Sequence, residues 1–473
     1  MTALRLPRTR PIRPLAFLGA SLVLVAASQA VSLLRPAAPA TPAHPAAPAA
    51  PAVVEPPTVS GPVTAPEAPI AGAPADLLTI DHSITAWTKN VAANDRDFLS
   101  AANLGLLYEA RARLSGDVSD YNRATEAANR SLAIEPRQLD VQALHARLLF
   151  ATHDFQGALR EAQAIDAQAP NQPAILSILG DATLELGDID GAAAQYARVA
   201  AAAPGPAITA RLARVSFLNG DGASAVSQAA AAYAAAKDAG TVGPSLSWYA
   251  YLSGTMALAT GAPEDAATWF DRALDAWPGS YLALAGRARA DAALGRTDAA
   301  IAGFRAAIAV APQPDALTAL GDLLAMRGDQ AGADAQYATV LAIAKLQGAG
   351  GGLIYNRQLV LFDVNHGRDL ATALQLADQE LAVRKDVYGY DADAWALLAN
   401  GRAADADAAV TKALAAGTRD ALLLYHAGEI KLALGDREAA RTYLSEALAI
   451  RGALDPLAAS RAQASLDTLG GAR

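Results

Sequence analysis

The side chains best suited to metal binding or acid–base catalysis in this chain are six histidines and many carboxylates. The histidines are His44, His82, His145, His153, His366 and His426. Zinc peptidase motifs place two histidines four residues apart on one helix face, and no two of these six have that spacing. The chain also lacks cysteine, which excludes thiolate metal sites and disulfides. We therefore interpret the histidines as surface or packing residues and expect no metal.

Two short patterns resemble ligand loops. Residues 348–352 are rich in glycine, but no lysine followed by serine or threonine comes after them, so a phosphate loop is not predicted. Asp188 and Asp190, and again Asn219 and Asp221, resemble the start of a calcium loop, but the distant glutamate is absent. We interpret the two calcium-like patterns as helix caps.

Paired carboxylates could support acid–base catalysis, and Asp391, Asp393, Asp405 and Asp407 lie close together in the sequence. We expect these four to lie near helix starts, where a carboxylate stabilises the helix dipole. That role needs no catalysis, and the chain is not predicted to be an enzyme.

The elements that carry these residues repeat along the chain. Pro136, Pro170 and Pro204 are equally spaced, and Pro278 and Pro312 resume the same spacing. A fixed period of this size, about 34, indicates a supersecondary unit copied many times. Division of the chain after Ala75 by this period predicts about ten or eleven units.

Three further columns keep the register of the prolines. A small alanine recurs, a large side chain follows it by four residues in several copies, and a glycine precedes it by twelve residues in four copies and by more in the first. The alanines are Ala124, Ala158, Ala192, Ala225, Ala266, Ala300, Ala333 and Ala440, the large residues Tyr196, Phe270, Phe304, Tyr337 and Leu444, and the glycines Gly105, Gly180, Gly254, Gly321 and Gly428. Because glycine has no Cβ, each glycine should let a second helix approach closely.

These columns resemble the tetratricopeptide repeat, in which each period forms a pair of antiparallel helices. The best copy begins at Ser247, and the likeness covers most of the chain. The segment from Asp391 is also similar to uncharacterised bacterial proteins with many such repeats. The resemblance implies an all-α superhelical solenoid over residues 76–473, closed by a C-terminal capping helix.

The same resemblance implies a partner-binding groove. In this family the first helix of each repeat lines the concave face, and the residue after the glycine column points into it. Trp248 and Tyr251 are two further candidates, either as an aromatic anchor for a partner or as cover for an apolar junction. The predicted groove residues are Arg147, Asp181, Arg214, Trp248, Tyr251, Thr255, Arg289, Asp322 and Glu429.

Residues 1–75 have a different character from the repeats. Residues 1–35 combine arginines with an apolar stretch at 15–34, which predicts a signal peptide cleaved near Ala30 or a membrane anchor. Residues 36–75 are rich in proline and alanine and predict a disordered, extended linker. After residue 35 the chain carries 33 basic and 47 acidic residues, a net charge of −14, which disfavours nucleic-acid binding.

We therefore predict a non-catalytic scaffold of the bacterial cell envelope, extracytoplasmic and either anchored or secreted, that binds a protein or peptide. No cofactor and no small-molecule substrate are expected. A groove that holds an envelope glycan, with Asp181 and Asp322 acting on it, is one alternative, and a purely structural spacer is another.

Overall fold

The computed structural model describes residues 73–350 and 356–470, with side chains over 77–346 and 356–470. These residues form 22 α-helices and include no strand. The predicted signal or anchor at 1–35, and nearly all of the linker at 36–75, lie outside the described residues. The helices are α1 Ala73–Ala93, α2 Phe98–Ser115, α3 Ser119–Ile134, α4 Leu139–Ala151, α5 Phe155–Gln168, α6 Pro173–Glu185, α7 Ile189–Ala202, α8 Pro206–Leu218, α9 Gly222–Asp238, α10 Gly243–Ala259, α11 Pro263–Ala276, α12 Tyr281–Ala293, α13 Thr297–Val310, α14 Pro314–Met326, α15 Gln330–Gly350, α16 Asn356–Asn365, α17 Leu370–Val383, α18 Val387–Ala399, α19 Ala403–Leu414, α20 Ala421–Ala433, α21 Arg437–Ala449 and α22 Pro456–Gly470.

The helices form ten antiparallel pairs, from α2/α3 to α20/α21, with α1 before them and α22 after them. This confirms the predicted all-α repeat architecture. Each of the five period-marking prolines directly follows the C-cap residue of the second helix of a pair, as Pro170 follows Ala169 and Pro204 follows Ala203. Proline stops the helix at these positions because it has no N–H to donate.

Side-chain caps start the second helix of several pairs. Asp188 accepts a hydrogen bond from the N–H of Gly191 at 2.8 Å, and Asp221 accepts one from the N–H of Ser224 at 2.9 Å. The two patterns that resemble calcium loops are therefore N-caps, as the sequence suggested. Each cap satisfies a backbone donor that has no partner within its own helix.

The glycine column is a contact point within several of the pairs that carry it. A Cβ on Gly254 would lie 2.7 Å from the ring of Phe270, and one on Gly428 would lie 2.6 Å from Leu444. Gly180 meets the ring of Tyr196 in the same way. The predicted close approach of the two helices is confirmed, because only a residue without a Cβ leaves room for these side chains.

The first helix of each pair, here called an inner helix, lies on the concave side of the solenoid. Most neighbouring inner helices contact each other directly, whereas the second helices, here called outer helices, mainly contact the inner helices on either side of them. Closer approach on one side of a stack bends it toward that side. The inner helices therefore line the groove.

The bend is strong enough for the solenoid to meet itself. We call residues 98–276 the N-terminal coil and residues 281–470 the C-terminal coil. The turn inside the first, third, fourth and fifth pairs contacts the junction that follows the pair five places later. One superhelical turn thus holds between five and six pairs, and we call the line of contact the seam.

The seam combines backbone, apolar and ionic contacts. The hydroxyl of Thr418 donates to the carbonyl oxygen of Leu218, 200 residues away. Arg451 pairs with Glu264, and Arg384 pairs with Glu185. One buried hydrophobic cluster also contains residues of both coils, including Ile175, Leu218, Val387 and Leu423. The two coils therefore share a core and do not merely touch.

Candidate partner-binding groove

Polar pairs join successive inner helices and form the rungs of a ladder along the groove. In the first rung, Arg147 of α4 donates to Glu109 of α2 through Nε at 3.1 Å and Nη2 at 3.0 Å. Burial alone would raise the pKa of Glu109, but Arg147 and Arg113 outweigh it and leave that pKa below its ordinary value. Arg147, the first of the predicted groove residues, is therefore held in an ion pair with Glu109.

The next rung is buried. Arg211 of α8 donates to both carboxylate oxygens of Asp181, each at 2.9 Å, and the hydroxyl of Tyr196 donates to the same carboxylate at 2.7 Å. The side chains of Arg211 and Asp181 are only 4% and 5% exposed. Asp181 is thus fully engaged, because a bidentate arginine and a phenol together occupy its oxygens.

A second pair links the same two helices. Arg214 lies 2.6 Å from the carboxylate of Glu185, which is also paired with Arg384 from the C-terminal coil. Burial would raise the pKa of Glu185, but the two arginines hold it below its ordinary value. The carboxylate of Glu185 therefore belongs both to the groove and to the seam.

The rungs on α12, α14 and α16 have carboxylates that are more open to solvent. Arg289 lies 2.5 Å from Asp315, and their side chains are 35% and 46% exposed. Asp322 accepts hydrogen bonds from the hydroxyl of Tyr337 at 2.6 Å and from Nε2 of His366 at 2.8 Å. Burial lowers the pKa of His366, but the hydrogen bonds with Asp322 and the carbonyl oxygen of Phe362, together with the charge of Asp322, outweigh burial and raise that pKa above its ordinary value.

One further rung joins α18 and α20. Asp391 accepts a hydrogen bond at 2.9 Å from Nδ1 of His426, whose ring stacks on Trp395 with centroids 4.1 Å apart. Asp391 and Asp393 lie inside α18, so the interpretation of these two residues as helix-start carboxylates is wrong. Sequence reasoning missed the pairing because His426 is 35 residues away.

The remaining predicted groove residues differ in accessibility. Tyr251 is buried against the ring of Phe270, and the half-buried Trp248 meets the edge of Tyr249 at 4.9 Å. The hydroxyl of Thr255 bonds to the carbonyl oxygen of Tyr251. Burial raises the pKa of the half-buried Glu429. Their role in partner binding stays a prediction.

Comparison with known families identifies the type of repeat that these helix pairs form. Residues 143–207, 178–244 and 227–281 match the model of the tetratricopeptide repeat family. Residues 143–281 contain tetratricopeptide repeats. The matched residues run from α4 to the start of α12 and include most of the buried rungs.

Three solved structures are similar to this chain over most of its length. The crystal structure of the APC/C hetero-tetramer Cut9–Hcn1 is 15% identical, with 84% of each chain covered and a TM-score of 0.37. The human IFIT1 dimer with PPP-AAAA is 13% identical, covering 80% of this chain and 89% of that one, with a TM-score of 0.42. Yeast Tom70 is 12% identical, covering 83% and 96%, with a TM-score of 0.36. No curated protein sequence matches the chain.

The tetratricopeptide repeats present side chains suited to recognition. Among the described residues, no cluster of three or more histidine, aspartate or glutamate side chains could hold a metal ion. The partly exposed rungs offer charges of both signs that are already fixed in position. Such a face can bind a partner through many weak polar contacts without a large ordering cost.

Sequence reasoning missed the partners that hold the predicted groove residues. Glu109, Arg211 and Asp315 occupy other positions of the inner helices, and His366 directly follows α16. The charged candidates had all been taken from the residue after the glycine column. Charged residues inside otherwise apolar helices were a usable signal, since buried charges are normally paired.

Proposed function

We propose that this chain is a non-catalytic scaffold that binds a segment of a partner protein in the groove lined by its inner helices. The observation that carries the proposal is the change in exposure along the ladder. The carboxylates of the rungs from α2 to α8 are at most 5% exposed, whereas those of Asp322 and Asp315 are 15% and 46% exposed. Binding is therefore assigned to the stretch from α10 to α14, which α22 contacts through α14.

Three predicted residues fit this stretch best. Thr255 is partly exposed on α10, Arg289 presents a cation on α12, and Asp322 presents an anion on α14. Trp248 lies at the near end with part of its indole accessible. An extended or helical segment that carries both charge signs and one apolar side chain would complement this arrangement.

We further propose that the scaffold acts in the bacterial cell envelope. The support comes from residues 1–35, where arginines precede an apolar stretch of the length needed to cross a bilayer. No helix in the described part of the chain is long and apolar enough to span a membrane. Protease accessibility of the repeats in spheroplasts tests this location, and protection of the repeats from added protease would contradict it.

The groove is tested by a bulky substitution that removes the same kind of local hydrogen bond in the variant and in its control. Thr255→Arg places a long side chain into the stretch, while Thr268→Arg makes the same change on the outer helix α11. The two threonines are matched, because each donates its hydroxyl to the carbonyl oxygen four residues earlier, Tyr251 or Glu264. A crosslinking capture from envelope fractions should lose a specific partner with Thr255→Arg and keep it with Thr268→Arg.

A second matched pair tests charge. Arg289→Ala removes a cation from the groove, and Arg305→Ala removes one from the exposed side of the outer helix α13. We expect weaker capture only with Arg289→Ala, and the loss should diminish at high salt because exposed charges are screened. Identical captures from all four variants would contradict binding in the groove.

A further inference from the structure

The seam contains a cluster of charges beside one unpaired histidine. Arg384, at the junction between α17 and α18, pairs with Glu185 and also lies 5.2 Å from the ring of Phe155. Glu185 ends α6 and Phe155 starts α5, so Arg384 reaches two neighbouring turns of the N-terminal coil at once. The junction therefore fits between these turns.

His153 lies at this point. It is 3% exposed, and its ring stacks on Phe155 with centroids 5.2 Å apart. Neither ring nitrogen has a hydrogen-bond partner among the described residues. Its backbone is left-handed, with φ of 67°. A buried imidazole without a hydrogen bond is unusual, since buried polar groups normally find partners.

The charges around His153 come from both coils. The C-terminal coil contributes Arg357, Glu380, Arg384 and Asp386, and the N-terminal coil contributes Glu185 and Arg214. Arg357 lies 2.9 Å from Glu380 and 2.7 Å from Asp386, and Arg384 lies 3.6 Å from Asp386. Three arginines thus face three carboxylates. The cluster is neutral only while His153 is uncharged.

A proton on His153 would add an unbalanced positive charge beside two arginines. Burial first, and then Arg384 and Arg357, keep the pKa of His153 well below its ordinary value, while Asp386 opposes them weakly. Arg357 and Arg384 belong to the opposite coil, so their repulsion acts across the seam. Separation of the coils would relieve it and would also let water reach the ring.

We propose that His153 is an acid-sensitive latch, which keeps the two coils joined while neutral and separates them along the seam when protonated. The latch involves no partner and does not depend on the proposed groove. Opening converts a closed superhelix into an extended one and exposes the apolar residues shared by the coils.

The direction of the pH effect follows from the two states of the ring. The pKa is depressed in the closed form and returns toward about 6.5 once water reaches the ring. The closed form is therefore fully stable above about pH 6.5 and loses stability as the pH falls below that value. With one proton coupled, the equilibrium constant for opening rises by at most about tenfold per pH unit.

The test is a distance between spin labels in the full chain. The sequence has no cysteine, so labels can be attached through Asp190→Cys on α7 and Lys385→Cys across the seam. Both positions are exposed. We expect one short distance at about pH 7.5 and a growing longer component toward about pH 5. With His153→Asn added, the short distance should persist at both values.

Asparagine is the matched replacement because it tolerates the left-handed backbone and does not titrate. His153→Gly serves as a second such variant should asparagine disturb folding. A reference pair inside the C-terminal coil, Lys385→Cys with Thr411→Cys, should not change. The latch is overturned if the long component is absent, if it persists in the His153 variants, or if the reference pair lengthens equally.

Discussion

Arg384 and Glu185 form a buried ion pair between two coils of the same chain, with side chains 4% and 1% exposed. Glu185 also pairs with Arg214 within its own coil, so it joins the groove ladder to the seam. Removal of one partner leaves the buried cluster with one excess charge, which is more costly than replacing both partners. The closed superhelix therefore depends on this pair as a unit.

Glu185→Gln and Arg384→Met should each lower the free energy of unfolding by about 3–5 kcal/mol. The double variant should lose clearly less than the sum of the single variants, because neither partner then remains buried alone. Urea denaturation followed by circular dichroism measures all three. Glu264 and Arg451 form an exposed pair across the same seam and provide the control, whose removal should have a much smaller effect. Strict additivity at Glu185 and Arg384 would contradict their coupling.

Gly187→Ala should weaken the seam. A Cβ there would overlap the carbonyl oxygen of Lys385, and φ of 95° disfavours any side chain. Gly328→Ala is the control, since Gly328 has a similar φ of 82° but a Cβ there meets no described atom within 4 Å. Backbone strain should lower the free energy of unfolding of both variants by about 1–2 kcal/mol. Overlap with Lys385 should lower that of Gly187→Ala by about 1–3 kcal/mol more. Equal urea midpoints would show that the contact is absent in solution.

Gly254→Ala should destabilise α10 and α11 by about 1–3 kcal/mol, because its methyl group would overlap the ring of Phe270. Gly470→Ala, at the end of α22, adds a methyl group that meets no described atom within 4 Å and should change little. Amide hydrogen exchange is the appropriate measurement, since it reports each helix pair separately in a repeat protein. Faster exchange confined to α10 and α11 is expected. Unchanged protection there would contradict the tight packing.

The His366 and Asp322 pair should make stability depend on pH in the opposite direction from His153. The pKa of His366 is raised in the folded chain, so its contribution is fully present below about pH 6.5 and is lost as the pH rises through the folded value. His366→Gln should therefore reduce the urea midpoint more at about pH 5.5 than at about pH 8.5. His82→Gln, at an exposed position of α1, is the control. An equal decrease in the urea midpoint at both pH values would show that protonation of His366 does not contribute to stability.

The helix pairs were predictable from sequence because their contacts are local. Gly180 keeps a fixed spacing to Ala192 and meets Tyr196 on the neighbouring helix, so one column of small residues reports the packing directly. Each pair needs only its own residues to specify this geometry. The same locality explains why the predicted caps at Asp188 and Asp221 are present.

The seam was not predictable in the same way, because it depends on curvature summed over many pairs. Thr418 and Leu218 are 200 residues apart, and nothing in either local sequence indicates the other. The turns between the two helices of a pair nevertheless indicate which of them are covered by the next coil. Those of the N-terminal coil contain no arginine, whereas those of the C-terminal coil contain Arg296, Arg327, Arg368 and Arg402. A guanidinium fits a turn that faces solvent but not one covered by the next coil.

Each turn in the seam faces one particular junction, and this pairing limits where repeats can be added to the chain by gene duplication. In an open solenoid, duplication of one repeat adds a unit and leaves all older contacts in place. Here an extra pair inserted between α8 and α17 would shift every later junction by one place, so Gly187 and Glu185 would no longer face Lys385 and Arg384. Growth by single repeats is therefore tolerated at the two ends of the array and penalised within it.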